Sequence, residues 1–137
     1  MSRGYRQIDH TADLALELWA DSEAELLVVA AEAVTEILTD GAAIADRAAL
    51  DISIDTVDAG DRLVQWLNEI IVAAVAGGFL FHGATIELDG TTGLRAHARG
   101  EPDAHSRVVA ELKSATYHDL AIEQGASGWR ARVIIDV

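Results

Sequence analysis

Between Leu14 and Trp19, Leu14, Leu16 and Leu18 alternate with Ala15, Glu17 and Trp19, the period of two expected of a strand with one buried face. From Leu26 the period lengthens. Leu26, Leu27, Ala30, Val34, Ile37 and Leu38 follow a helical stripe, Ser22 and Glu25 precede it at capping-box spacing, and Gly41 stands where a helix would end. Leu50, Ile52 and Ile54 alternate with Asp51, Ser53 and Asp55, predicting a second half-buried strand with an acidic outer face. Leu63, Trp66, Leu67, Ile70, Ile71, Ala74 and Val75 predict a second amphipathic helix that Gly77-Gly78 closes, with Arg62, Gln65, Asn68 and Glu69 on its wet face.

Strand-like stretches at 79–88 and 94–100 flank Asp89-Gly90-Thr91-Thr92-Gly93, and stretches at 117–123 and 129–137 flank GASG, so each pair reads as a hairpin. In the last stretch Trp129, Ala131, Val133 and Ile135 share one face. The intervening EPDAHSRVVAELKSAT keeps neither period and reads as an irregular loop leading into a short ordered piece. No repeat or linker interrupts the chain, which predicts one domain over residues 1–137. The expected class is α+β, two amphipathic helices packed on a mixed, largely antiparallel β-sheet.

Composition narrows the function classes. With 23 acidic against 10 basic residues and a formal charge of −13, the chain repels phosphate backbones and favours cations or a basic protein surface. Direct nucleic-acid binding is not expected, although acidity also serves plain solubility. The absence of cysteine excludes disulfides, thiolate metal sites and a thiol nucleophile. The most apolar run, 70–80, is too short to span a membrane and MSRGYRQIDH has no signal-peptide core, so a cytoplasmic address and no membrane partner are expected. Lys113 is the sole lysine among nine arginines, a choice that matters where a compact ammonium is needed.

Candidate chemistry gathers at three places. Asp9, His10 and Asp13 of DHTAD stand where the chain enters its first predicted strand; they read either as short carboxylates capping a turn or as part of a ligand set. Asp136 and the carboxylate of Val137 stand at the other end of the chain. If the last strand lies beside the first, Asp13, Asp136 and Val137 meet at one sheet end, and oxygen-only donors of this kind select Ca²⁺, Mg²⁺ or Mn²⁺ over zinc. Lys113, Tyr117 and His118 could contact phosphate or move a proton, or be an ordinary salt bridge, core tyrosine and solvent histidine. There is no Walker loop, dinucleotide fingerprint, Gly-x-Ser-x-Gly elbow or His-Glu-x-x-His helix, so no autonomous enzyme is expected.

DHTAD leading into a strand, LVQWLNEII, the Gly100-Glu101 turn, LKSATYHDLAIE, and a final strand ending in Asp plus one aliphatic residue together resemble the archease family. They do so in order over nearly the whole chain. The resemblance implies a non-catalytic α+β protein that assists an RtcB-type RNA ligase, promoting its GTP-dependent guanylylation and repeated turnover in tRNA splicing or RNA repair. It also implies a divalent cation, most often calcium, held by Asp13, Asp136 and Val137. The segment PDAHSRVVAE departs from the family pattern, which weakens any role for His105. Two other readings compete: a chaperone-like binding module with a structural metal, and a small metal-dependent phosphohydrolase.

Overall fold

The computed structural model describes residues 2–10, 13–90 and 93–137, with the backbone alone at 9 and 10. Seven strands and two helices are ordered as β1 (Gly4–His10), β2 (Asp13–Ala20), α1 (Glu23–Thr39), β3 (Ala48–Asp55), α2 (Ala59–Val75), β4 (Leu80–Asp89), β5 (Gly93–Glu101), β6 (Ser114–Gly125) and β7 (Gly128–Asp136). The α+β class and its two helices are as the sequence predicts. The strands divide into two sheets, β1-β2-β7-β6 and β3-β5-β4, and every pairing is antiparallel. Each helix packs on strands of both sheets, so helices and sheets share one apolar core.

The strand β1 has no counterpart in the sequence pattern. It is an edge strand whose two apolar side chains, Tyr5 and Ile8, fall on opposite faces, so no period of two develops. Residues 102–113 run irregularly through one short 3₁₀ turn, His105–Arg107, before β6 begins, in line with the irregular loop predicted there.

Both helices start on side-chain caps. The Ser22 hydroxyl accepts from the Glu25 amide at 3.1 Å, and the Asp58 carboxylate accepts from the Asp61 amide at 2.8 Å. At the end of α1 the left-handed residue is Asp40 (φ 53°), followed by Gly41 (φ 78°), whose amide donates to the Glu36 carbonyl at 2.9 Å. The helices are joined through Trp66, fully buried, whose indole Nε1 donates to the Leu27 carbonyl at 2.7 Å and whose ring meets Phe81 edge-on at 6.2 Å.

Arg62 corrects the predicted wet face of α2. It is 2% exposed and grips Glu23 with two bonds, Nε to Oε2 at 2.7 Å and NH2 to Oε1 at 2.9 Å. Position 62 lies one turn before Trp66 and two before Ile70, so helical geometry directs its stem into the core and only its charge suggested water. Glu23, in the first turn of α1, supplies the fork that makes burial tolerable.

Gly100 fixes how β5 passes β4. A Cβ there would stand 1.9 Å from the Leu80 carbonyl oxygen, so no larger residue fits without moving backbone.

Candidate functional site

Strand register builds the site. His10 pairs with Asp13, Asp13 with Asp136, and Asp136 with Ser114, so one row crosses all four strands at the end of the sheet. Directly opposed residues of an antiparallel sheet share a face. Because Leu16 and Leu18 are buried in the core and Leu14 packs against it, Asp13, Asp136 and Ser114 lie on the opposite, outer face. The aliphatic alternation of β2 and β7 thus sets two aspartates side by side at the rim.

Asp13 and Asp136 are half-buried, and Val137 beside them is 40% exposed. Opposed residues of this kind carry Cβ atoms about 5 Å apart, and like charges so placed repel. A cation between them would remove that repulsion, and a donor set of carboxylate oxygens fits a hard ion. Among the described residues no cluster of three or more His, Asp or Glu side chains is placed to hold a metal.

Lys113 adjoins this row. Its backbone amide donates to the Asp136 carbonyl at 2.8 Å and its side chain is exposed. Tyr117 and His118 lie elsewhere. Between Thr116 and Ala121 the strand β6 bulges away from β7, because five steps along β6 match only two along β7. On this bulge the Tyr117 hydroxyl donates to Asp61 Oδ1 at 2.6 Å near the start of α2, while His118 Nε2 stands 3.3 Å from Asp119 Oδ2. The structure therefore brings Asp13, Asp136, Val137 and Lys113 together and carries Tyr117 and His118 to the flank. The side chains of Asp9 and His10, and Thr11 of DHTAD, lie outside the described residues.

The Tyr117 bond is visible in both partners' acidity. Asp61 is held below its ordinary carboxyl range, first by the tyrosine hydroxyl and further by the Val57 amide and Gln65. The phenol of Tyr117 is raised, chiefly by donating to that carboxylate.

Asn68, assigned by its sequence position to solvent, has a positional role. Its side-chain amide donates to the Ala115 carbonyl at 3.2 Å and its oxygen accepts from the Ala115 amide at 2.7 Å. The outward backbone groups of the edge strand β6 are thereby paired one residue from the Asp136 row. A wet-face asparagine carries no sequence signal of such a contact. Of the remaining histidines, His82 Nδ1 meets the Ile44 carbonyl at 2.8 Å, His97 pairs with Asp51, and His105 stands 3.3 Å from the Ala76 carbonyl.

Residues 5–137 match the sequence profile of the archease protein family. The chain belongs to the archease family. Protein archease of Methanopyrus kandleri is 34% identical to it over 139 residues, covering 97% of this chain and 99% of its own. Protein archease of Methanosarcina barkeri is 30% identical, covering 97% and 95%. The solution structure of Methanobacterium thermoautotrophicum protein 1598 superposes with a TM-score of 0.78 at 24% identity, covering 98% of this chain and 99% of its own. The crystal structure of an archease from Thermotoga maritima, described as a possible chaperone, superposes with a TM-score of 0.60 at 22% identity, covering 96% of each chain. These structures establish a shared archease fold. Within it, no helix among the described residues is long and apolar enough to cross a membrane.

Proposed function

We propose that this archease-family protein is a non-catalytic accessory factor that activates an RtcB-type RNA ligase, promoting its guanylylation from GTP and its repeated turnover in tRNA splicing or RNA repair. The observation that carries this reading is the outer row in which Asp13 and Asp136 stand opposite one another beside Val137. Asp13, Asp136 and Val137 would hold the divalent cation, calcium first, with magnesium or manganese as alternatives. When bound, such an ion supplies positive charge to nucleotide phosphate oxygens. Lys113 presents an exposed ammonium at the same end, able to meet a phosphate as a point charge.

The ligase is a fitting partner on charge. A site that takes GTP and RNA ends is electropositive, and this chain carries −13. A cytoplasmic setting follows from that partnership. The test is GTP-dependent labelling of a purified RtcB-type ligase under limiting enzyme, with wild-type protein and with Asp13→Asn and Asp136→Asn. Wild type should raise labelling and RNA turnover and both variants should lose the gain. Wild type without effect on labelling would remove the reading.

A second reading, a chaperone-like binding module whose metal is structural, is favoured by the description of the Thermotoga protein. It predicts less ligase aggregation on heating with no change in labelling of the soluble enzyme.

A further inference from the structure

The outer face that carries the tip row continues down the four-stranded sheet past the row Ile8, Ala15, Ile134 and Thr116, in which Ala15 and Ile134 are buried, to two rows of a different character. In one, Arg6, Glu17 and Arg132 are successive cross-strand partners; in the next, Gly4, Trp19, Arg130 and Glu123 are. Three of the nine arginines of a strongly acidic chain thus face two carboxylates on one surface. Arg6 donates to Glu17, Arg132 stands 4.0 Å from Glu17, and Arg130, exposed, makes no ion pair among the described residues. Glu17 feels all three: its carboxyl is held below the ordinary range first by the Arg6 hydrogen bond, then by the charges of Arg132 and Arg130. Trp19, half-buried, packs against Gly4, where a Cβ would come within 2.6 Å of the ring.

Arg132 precedes Asp136 by four residues on one strand, so the arginine rows begin about 13 Å from the aspartates at about 3.3 Å per residue. This face therefore ends in negative charge at the aspartate tip and carries surplus positive charge from its middle toward its other end. A nucleic acid matches this poorly, since phosphates drawn to the arginines would run against the aspartates and the field of the whole chain. A protein surface that is basic in a pocket and acidic at the rim matches both parts, and arginine and tryptophan are the residue types that concentrate binding energy in such contacts.

We propose that this outer face of the four-stranded sheet is the surface on which the protein docks its ligase, the Arg6, Arg130 and Arg132 rows engaging an acidic rim while the aspartate tip enters the basic pocket inside it. The inference rests on the ligase reading above and adds which surface does the docking. It separates two tasks on one face: the arginine rows hold the partner and the tip acts.

Binding to the purified ligase would be measured at low and moderate salt for wild type, the double variant Arg130→Glu/Arg132→Glu, Arg130→Gln and Asp136→Asn, with labelling at limiting and saturating protein. The double variant should bind roughly tenfold more weakly or worse, mainly through slower association that salt affects less, with labelling recovering at saturating protein. Calcium binding by the isolated double variant should equal wild type. Asp136→Asn should bind the ligase within about threefold of wild type and fail to stimulate it. If the double variant unfolds at lower temperature, Arg130→Gln, a single exposed neutralisation, must still weaken association in the same direction. Wild-type binding that neither arginine change affects overturns the docking surface alone, and no binding by wild type overturns the ligase reading with it. Retention of a single-stranded RNA probe that the double variant loses, with ligase binding intact, overturns the proposal and assigns the face to RNA.

Discussion

On the outer face of the three-stranded sheet acidic and basic side chains are interleaved, with only Asp55 and Asp89 left beside Gly93 at one end: His97 Nδ1 stands 2.7 Å from Asp51, Arg99 donates to Asp46 at 2.6 Å, and Arg95 is the cross-strand partner of Glu87. On the outer face of the four-stranded sheet charge is sorted by row, aspartates at the rim and arginines two rows below. Neutralisation in place serves solubility and a modest gain in stability. Sorting by row sets Asp13 and Asp136 directly opposite one another, and a fold keeps like charges together in this way where the surface is used.

The largest effect should come from breaking one sheet and sparing the other. Gly100→Ala drives a methyl group into the Leu80 carbonyl of the three-stranded sheet and should cost about 3 kcal/mol in chemical denaturation. Any calcium affinity of the proposed tip site, measured on the folded fraction, should stay unchanged, since the tip belongs to the other sheet. Asn68→Ala reaches the four-stranded sheet instead. It leaves the Ala115 amide and carbonyl unpaired at a part-buried edge and should cost roughly 2 kcal/mol, with faster hydrogen exchange at Ala115 and weaker metal binding one residue away. An Ala115 amide that exchanges as slowly as before would show that Asn68 does not hold that edge.

Tyr117→Phe should be milder, below about 1 kcal/mol, because the bond to Asp61 is largely solvent-exposed. Its sharper readout is NMR titration, in which the Asp61 carboxyl should move back up toward its ordinary value. The smallest effect compares one acid from each sheet. Glu101, lowered first by Arg107 and then by the Ala45 amide, and Glu17, lowered first by Arg6, both sit below their ordinary 4.5. A depressed carboxyl contributes stability that is fully present above its unfolded value and lost as pH falls through the folded one. Unfolding midpoints should therefore hold steady from neutrality to about pH 5 and decline below it. Glu101→Gln and Glu17→Gln should each flatten that decline, and a midpoint that fell between pH 7 and 5 would point to other groups.

Elements with one buried face were legible in the sequence: β2, β3 and both helices announce themselves through alternation or a stripe, and the two late hairpins through their turn residues. What depends on partners was not. The edge strand β1 lacks a continuous apolar face, the division into two sheets depends on long-range pairing, and Arg62 is buried only because Glu23 waits opposite it. The candidate ligands Asp13 and Asp136 were nameable from their chemistry and from the family resemblance, but their adjacency is a matter of register, which no local pattern states. Asn68 illustrates the limit most clearly, since an amide that completes the hydrogen bonding of a strand looks in sequence like any solvated helix residue.

The place of β7 between β2 and β6 has a consequence for how the protein is made. β2 can close its hairpin with β1 as soon as both leave the ribosome, but its other edge must wait for a partner translated almost a whole chain later. At about 5–20 residues per second the wait is on the order of ten seconds. For that interval Leu14, Leu16 and Leu18 lie along an open strand edge, covered only as far as α1 has already docked, so crowding and translation speed bear on how much of each batch reaches the native sheet.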